Sequence, residues 1–284
     1  MKTISIIGAG TMGRGIAYNC AASGLKVAVQ DIDINNLESC KKYVERQFDV
    51  AVEKGQLTRR QASEYKENIL YTNSLENAVK QADLVIEAVL EMMDLKIRIF
   101  KQVDEFAPKH AILATNTSTM SPTEIGAQTN RPEKCIALHF FNPVPKMKLI
   151  EVICGLETSE ETVEACFSFG KRIGKECVKI NEFPGFAVSR MNCLIGNEAM
   201  NMVMEGVGTV ADIDKAIKLG LNHPMGPIEL ADLVGLDTRL RNMEYLYQTL
   251  GEKYRPCPIL TKYVKAGRLG KKSGKGFYEY PYEI

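Results

Sequence analysis

A histidine and a glutamate stand near each other in the stretch ALHFFNPVPKMKLIEVI, which runs from Ala137 to Ile153. His139, one of three histidines in the chain, follows a short apolar run. Imidazole titrates near neutral pH, so it can take a hydroxyl proton while hydride leaves the adjoining carbon. A carboxylate on its second ring nitrogen would fix the tautomer and stabilise the imidazolium, and Glu151 is the candidate.

Both residues also have an ordinary structural interpretation. A lone histidine after an apolar run is more often a core or strand-end residue, and Glu151 could face water on an edge strand. If Glu151 is buried, it needs a partner, because an unpaired buried carboxylate is costly. The spacing alone leaves both interpretations of Glu151 open. We assign His110, in a predicted loop, and His223, before a proline, to the structural class.

A second group of residues could hold a dinucleotide. In SIIGAGTMGRGIA, Gly8, Gly10 and Gly13 have the G-x-G-x-x-G spacing, with a strand before them and a helix pattern after them. This spacing allows a tight turn, a close approach to a pyrophosphate and close helix packing, and the helix N-terminus favours phosphate. The alternative is a glycine-rich turn of any α/β protein. The expected contacts in this loop are Gly8, Ala9, Gly10, Thr11, Met12 and Gly13.

The end of the next predicted strand carries an acid, Asp31. Its carboxylate can accept hydrogen bonds from the adenosine ribose, and it repels a 2′-phosphate. The cofactor predicted from these residues is therefore NAD rather than NADP.

The elements that must position these residues alternate along the first two-thirds of the chain. Apolar runs typical of buried parallel strands alternate with helical patterns, which predicts βαβ units; the runs are ISIIG, KVAVQD, ADLVIEAV, AILATN, CIALHF and KLIEVI. The charged stretch of residues 35–67, divided by Gly55, predicts a helical hairpin inserted between sheet elements.

The pattern changes after Phe183. From there to Gly267 the periodicity is helical, with a cap at Thr209, a stop at Gly220 and prolines before the last helix. We therefore predict a Rossmann-type, mostly parallel sheet domain over residues 1–183 and an all-helical domain over residues 184–284.

Ligands of open α/β sheets bind outside the carboxyl ends of the strands. Reading the predicted strand ends in chain order places glycines, acids and other polar residues on one rim of the sheet. They are Gly8, Asp31, Glu91, Asn116, Ser118, His139 and Asn142.

Composition excludes several classes of protein. The 284 residues are 45% hydrophobic and 25% charged, as in globular proteins, and the formal charge of +1 predicts no attraction to nucleic acid or to an anionic membrane. Eight cysteines lack metal-like spacing and indicate reduced thiols in a cytoplasmic protein, with no metal site. The first strand begins at Thr3, so no signal peptide is expected, and no apolar run is long enough to span a bilayer.

Seven ordered blocks of the chain resemble the L-3-hydroxyacyl-CoA dehydrogenases, most closely the bacterial 3-hydroxybutyryl-CoA dehydrogenases. The blocks are GAGTMGRGIA, DLVIEAVLE, ATNTST, HFFNPVPKMKLIEVI, PGFAVSR, ADIDKAIKLGLNHPMGPIELADLVGLD and GKKSGKGFY. The resemblance implies a dinucleotide-binding domain, a helical domain that forms a homodimer, and reversible oxidation of 3-hydroxyacyl-CoA by NAD.

The resemblance also implies roles for particular residues. His139 matches the catalytic base and Glu151 its partner, while Ser118 matches the serine near the substrate oxygen and the nicotinamide. Lys54, in the helical insertion, matches a coenzyme A contact. Most lysines on charged helices are merely solvated, so only the resemblance singles out Lys54 and Lys96. The further cofactor contacts implied are Glu91, Lys96, Asn142 and Lys272.

One position departs from the family pattern. The usual motif PGFxxNR has an asparagine that helps to hold the substrate carbonyl, and this chain has Ser189 there. A hydroxyl can still donate one hydrogen bond to a developing oxyanion, from a shorter arm. Asn192, about one turn later, could compensate, or it could be an ordinary helix residue.

Two other functions fit the same architecture. Some relatives oxidise L-gulonate instead of a coenzyme A thioester, and the insertion carrying Lys54 favours coenzyme A. Lens λ-crystallin resembles this fold and is structural, so the resemblance alone does not guarantee catalysis. The length of the chain as a single-activity protein favours a short-chain, fermentative role.

Overall fold

A computed structural model of the protein describes residues 1–281. Eight strands lie in the first two-thirds of the chain: β1 (Thr3–Ile7), β2 (Lys26–Gln30), β3 (Ile69–Thr72), β4 (Leu84–Glu87), β5 (Ile112–Thr115), β6 (Cys135–Phe140), β7 (Leu149–Cys154) and β8 (Glu176–Asn181).

The eight strands form one sheet in the order β3-β2-β1-β4-β5-β6-β7-β8. Neighbouring strands are parallel except for β6 and β7, which are antiparallel. The predicted Rossmann-type, mostly parallel sheet is confirmed. The prediction of a parallel strand for KLIEVI is wrong: the connection from Phe140 to Leu149 is too short for a crossover, so the chain returns antiparallel.

Strand β8 was not predicted from the sequence. It lies at the edge of the sheet beside β7, and its side chains are mostly exposed or half-buried. An edge strand of this kind has no continuous apolar run, which was the signal used for the six strands predicted above.

Seven helices accompany the sheet: α1 (Thr11–Ala21), α2 (Ile34–Glu53), α3 (Arg59–Glu67), α4 (Leu75–Val79), α5 (Met93–Phe106), α6 (Pro122–Gly126) and α7 (Glu160–Arg172). Helices α2 and α3 form the hairpin that was predicted for residues 35–67. Gly55 follows α2 with a φ of 68°, and Thr58 begins α3 with a capping box closed by Gln61.

Apolar side chains cover both faces of the sheet. Along β1, Ile4 and Ile6 belong to one buried cluster, and Ile7 belongs to a second cluster on the opposite face. This alternation follows from the two-residue period of a strand. Each such side chain contributes on the order of 1.5–3 kcal/mol on burial, so the sheet is a firm base for the polar residues at its rim.

Between Pro184 and residue 281 the main elements are helices: α8 (Val188–Met204), α9 (Val210–Gly220), α10 (Pro227–Val234), α11 (Leu236–Leu250) and α12 (Pro258–Lys265). Thr209 accepts a hydrogen bond from the Asp212 N–H at the start of α9, and α9 ends at Gly220 as predicted. Pro258 occupies the first turn of α12. The predicted all-helical second part is confirmed.

By its internal contacts the chain divides into two compact units, Met1–Phe183 and a unit that begins at Pro184. Within residues 1–281, none of the helices is both long and apolar enough to cross a membrane.

Candidate active site

The glycine loop between β1 and α1 is shaped for a close ligand. Gly8 has a φ of 102°, and a Cβ there would lie 2.7 Å from the Ala88 carbonyl oxygen. A Cβ at Gly13 would collide with the Gly8 carbonyl oxygen, so α1 packs tightly against the loop. At Gly10, by contrast, a Cβ would meet nothing within 4 Å. The space above the loop is therefore open where a pyrophosphate would approach.

The N-terminus of α1 also fits an anion. Gly10 is its N-cap residue, with no side-chain cap, and the first turn holds no acid. Thr11 and Met12 follow at the start of the helix, where N–H groups and the positive end of the helix dipole favour a phosphate. The residues present therefore fit the predicted dinucleotide.

Asp31 follows β2 directly and is hydrogen-bonded to this loop. Its Oδ2 accepts a hydrogen bond of 2.8 Å from the Ala9 N–H, and its Oδ1 accepts one of 2.9 Å from the Asp33 N–H. The carboxylate thus has a fixed place beside the loop, where a ribose can bind and a 2′-phosphate would be repelled.

His139 and Glu151 lie opposite each other in the antiparallel pair β6–β7. His139 Nδ1 is 2.7 Å from Glu151 Oε2. The Glu151 side chain is fully buried, and β7 lies between β6 and β8. The alternative that Glu151 faces water on an edge strand is therefore wrong. The carboxylate can hold the imidazole in one orientation and stabilise it when it is protonated.

Two asparagines extend this rim. Asn116 follows β5 directly, and its side-chain oxygen accepts a hydrogen bond of 3.0 Å from the Phe140 N–H. This bond joins the ends of β5 and β6, next to His139. Asn142 lies two residues beyond the end of β6 and is exposed. Both amides lie near the end of the strand that carries the histidine.

Glu91 and Ser118 meet at the ends of β4 and β5. Glu91 Oε1 accepts hydrogen bonds from the Ser118 N–H at 2.9 Å, from the Ser118 hydroxyl at 3.4 Å, and from the Thr117 hydroxyl. Burial acts to raise the pKa of Glu91, but the Lys96 ammonium and these hydrogen bonds outweigh it and hold that pKa below its usual value. Glu91 is therefore an ionised carboxylate that positions Ser118.

Lys96 is not a solvated lysine, since its side chain is only 1% exposed. Its Nζ lies 2.8 Å from Glu87 Oε1 and 3.1 Å from Glu91 Oε2. Burial acts to lower the pKa of Lys96, but the two carboxylates raise it above its usual value.

Glu87 was missed in the sequence, and one strand end was misplaced. We predicted that the run DLVIEAV ends near Glu91, but the chain leaves the sheet four residues earlier and β4 ends at Glu87. Glu87 Oε2 accepts a hydrogen bond of 2.7 Å from the Thr115 hydroxyl. An acid inside an apolar run was the signal that selected Glu151, and it applies equally to Glu87.

The other predicted site residues lie on other elements. Lys54 is exposed at the C-terminal end of α2, in the helical hairpin. Ser189 and Asn192 lie in the first turns of α8, both half-buried, in the second unit. Lys272, also in the second unit, pairs with Asp237 at 2.6 Å.

The two remaining histidines are in other surroundings. His110 is 65% exposed and lies 3.2 Å from Asp83, while His223 is half-buried in the turn after α9. Among residues 1–281, no group of three His, Cys, Asp or Glu side chains is arranged to hold a metal ion.

A mostly parallel sheet, a glycine loop at the start of α1 and a histidine–carboxylate pair at the strand ends define a Rossmann-type dehydrogenase. Comparison with known proteins identifies the family. Residues 3–183 match the family description "3-hydroxyacyl-CoA dehydrogenase, NAD binding domain", and residues 185–280 match "3-hydroxyacyl-CoA dehydrogenase, C-terminal domain". The chain belongs to the 3-hydroxyacyl-CoA dehydrogenase family, and its cofactor is NAD.

Individual relatives are similar over nearly their whole length. A probable 3-hydroxybutyryl-CoA dehydrogenase of Bacillus subtilis is 48% identical over 99% of this chain and 98% of its own. The 3-hydroxybutyryl-CoA dehydrogenase of Clostridioides difficile is 42% identical over 98% and 99%. The crystal structure of (S)-3-hydroxybutyryl-CoA dehydrogenase from Ralstonia eutropha has a TM-score of 0.93 and 42% identity, covering 99% of each chain.

Proposed function

We propose that the protein interconverts short-chain L-3-hydroxyacyl-CoA and 3-oxoacyl-CoA with NAD. The substrate pair is 3-hydroxybutyryl-CoA and acetoacetyl-CoA, as the names of its relatives suggest. The observation that carries this proposal is the buried His139–Glu151 pair, at a strand end on the sheet that carries the glycine loop. A structural, crystallin-like protein has no need of such a pair.

In the proposed reaction NAD supplies the hydride acceptor. His139 takes the proton of the C3 hydroxyl at Nε2, since Nδ1 is held by Glu151 at 2.7 Å. The Glu151 carboxylate stabilises the imidazolium that forms, and in the reverse direction His139 returns the proton to the carbonyl oxygen. Glu91 holds the Ser118 N–H at 2.9 Å, and the Ser118 hydroxyl turns from its 3.4 Å contact with Glu91 to donate a hydrogen bond to the same oxygen.

Most of the binding roles follow the two units, and Lys54 and Lys272 are exceptions. We assign NAD binding to residues 1–183 and substrate binding to residues 184–284, with Ser189 as a hydrogen-bond donor to the substrate carbonyl. Lys54, on the helical hairpin, is assigned to a coenzyme A phosphate. The cofactor contacts that we assign are Gly8, Ala9, Gly10, Thr11, Met12, Gly13, Asp31, Glu91, Lys96, Asn116, Ser118, Asn142 and Lys272.

We also propose a homodimer formed through the helical unit and a role in short-chain fatty-acid or butyrate metabolism. Large apolar side chains on the helical unit, such as Leu219 at 70% exposure, support the first proposal. All eight cysteines are free thiols, which supports a place in the reducing cytoplasm.

The first test is replacement of the base. His139→Asn should lower turnover of acetoacetyl-CoA with NADH by about 1,000-fold or more, because no group takes or returns the proton. Turnover is measured from NADH absorbance, and NAD binding by calorimetry should be retained. The matched control is His110→Asn, which changes an exposed histidine and should keep ordinary turnover. Ordinary turnover by His139→Asn would show that the base is another group.

The second part of the test is the substrate. Acetoacetyl-CoA, free acetoacetate and L-gulonate are compared with the unaltered protein in the same assay. We expect activity with the coenzyme A thioester and little with the other two. A preference for L-gulonate would replace the proposed substrate, and no activity with any of them would favour a structural role.

A further inference from the structure

Three buried or half-buried charges form a cluster at the carboxyl ends of β4 and β5. We call Glu87, Lys96 and Glu91 the carboxylate–lysine cluster. Lys96 Nζ lies 2.8 and 3.0 Å from the two oxygens of Glu87 and 3.1 Å from Glu91 Oε2. The side chains of Glu87 and Lys96 are each 1% exposed, and that of Glu91 is 26% exposed.

The cluster carries a net charge of about −1, since two carboxylates face one ammonium. Glu87 also accepts hydrogen bonds from the Val89 N–H at 2.7 Å and the Thr115 hydroxyl at 2.7 Å. Both of its oxygens act as acceptors, as expected of an ionised carboxylate. Charges this far from solvent are poorly screened, so their field reaches neighbouring groups.

The order of the strands places this charge on the nicotinamide side of the cofactor. Asp31 follows β2, which lies on one side of β1, and indicates where the adenosine half binds. The pyrophosphate belongs over the loop after β1. A dinucleotide whose pyrophosphate lies over this loop must therefore place its nicotinamide half over the ends of β4 and β5, where Glu91 accepts a hydrogen bond from Ser118.

We propose that the carboxylate–lysine cluster makes the site favour the oxidised cofactor. This inference rests on the proposed function, which places nicotinamide beside Ser118. The nicotinamide ring is positive in NAD⁺ and neutral in NADH, so a nearby net negative charge stabilises only the oxidised form. Glu87 and Lys96 then act through the field and through Glu91, and they set the relative affinity for the two forms.

The quantity to measure is the ratio of the NADH dissociation constant to the NAD⁺ dissociation constant, determined by calorimetry or NADH fluorescence. Glu87→Gln and Glu91→Gln each remove one negative charge, so the ratio should fall by about threefold to tenfold. Lys96→Gln removes the positive charge, so the ratio should rise by a similar factor. Glu105→Gln, an equal charge change at an exposed position on α5, should leave the ratio unchanged.

The opposite signs distinguish this effect from simple damage to the site. A distorted site binds both forms more weakly and leaves the ratio near that of the unaltered protein. An unchanged ratio in Glu87→Gln and Glu91→Gln, with binding retained, would overturn the inference alone. If Lys96→Gln does not fold, Glu87→Gln and Glu91→Gln still test the inference. An unaltered protein that binds neither nucleotide would overturn the proposed function, and this inference with it.

Discussion

At the scale of single residues, two glutamates orient the groups that we assign to the chemistry. Glu151 faces the imidazole of His139, and Glu91 accepts hydrogen bonds from Ser118. Neither glutamate needs to contact the reacting carbon. Each limits the positions open to a neighbour, His139 or Ser118, that we assign to contact the reacting oxygen, which is how a supporting group contributes to catalysis.

Removal of the Glu151 charge tests the first of these roles. Glu151→Gln should lower turnover by about 100-fold to 10,000-fold, because an amide can favour the wrong tautomer and does not stabilise an imidazolium. The measurement is steady-state turnover of acetoacetyl-CoA across pH. The exposed Glu157 provides a control, and Glu157→Gln should behave like the unaltered protein. Unchanged turnover in Glu151→Gln would contradict the role of the pair in proton transfer.

The sequence predicted the glycine loop and Asp31, but it did not predict the contact of Glu87 with Lys96. The glycine spacing and Asp31 could be interpreted from local sequence because the loop and the next strand end are close along the chain. The contact of Glu87 with Lys96 could not be predicted, because it depends on how far β4 continues and on which face of α5 is turned inward. Neither property is fixed by the identity of the residues alone.

At the scale of elements, a buried ion pair joins the C-terminal part of α5 to the segment before β6. Arg131 Nε lies 2.6 Å from Asp104 Oδ1, and both side chains are less than 5% exposed. Burial acts to raise the pKa of Asp104, but the Asn130 N–H and the Arg131 guanidinium hold that pKa below its usual value of 3.8. The pair therefore stabilises the fold above about pH 3.8, and this contribution is lost as pH falls through the lower folded-state value.

Arg131→Met should lower the free energy of unfolding at pH 7 by about 3–5 kcal/mol, because it leaves the Asp104 charge buried without its guanidinium. The difference from the unaltered protein should shrink below the folded-state pKa of Asp104, where that carboxyl is neutral. Urea denaturation at pH 7 and at successively lower pH measures both effects. Arg98→Met, at an exposed position on α5, should change stability by less than about 0.5 kcal/mol. An equal loss in both variants would contradict the role of the buried pair.

The sequence predicted most elements because long periodic segments are locally determined. The capped helices α3 and α9 and the apolar strands β1 and β4 are examples. The direction of β7 and the existence of β8 depend on pairing instead. Strand β7 runs antiparallel because its connection from β6 is short, and β8 forms by hydrogen bonding to β7 despite its exposed side chains.

At the scale of the whole molecule, large apolar side chains are exposed on the helical unit. In the second unit, Leu219 on α9 is 70% exposed and Leu233 on α10 is 42% exposed. Exposure of large apolar side chains to water is unfavourable, and a partner surface would bury them. Such positions suit the homodimer that we propose through the helical unit.

Leu219→Ser combined with Leu233→Ser should weaken the dimer, because both changes remove apolar area from the proposed interface. The expected result is a shift toward the monomer mass in sedimentation velocity at micromolar concentration. Leu156, 81% exposed in the first unit, provides the control, and Leu156→Ser should leave the mass unchanged. A monomer mass for the unaltered protein would contradict the proposed dimer.

The reversal of the chain between β6 and β7 has a consequence for how the site is inherited. His139 and Glu151 are only 12 positions apart, and they face each other because the two strands are consecutive. A single hairpin thus contains both members of the pair. A duplication or recombination event that transfers the gene segment for this hairpin transfers both residues together. The glycine loop and Asp31, in contrast, are encoded far upstream. The histidine–glutamate pair, which we assign to proton transfer, and the glycine loop can therefore diverge separately in descendants of one ancestral gene.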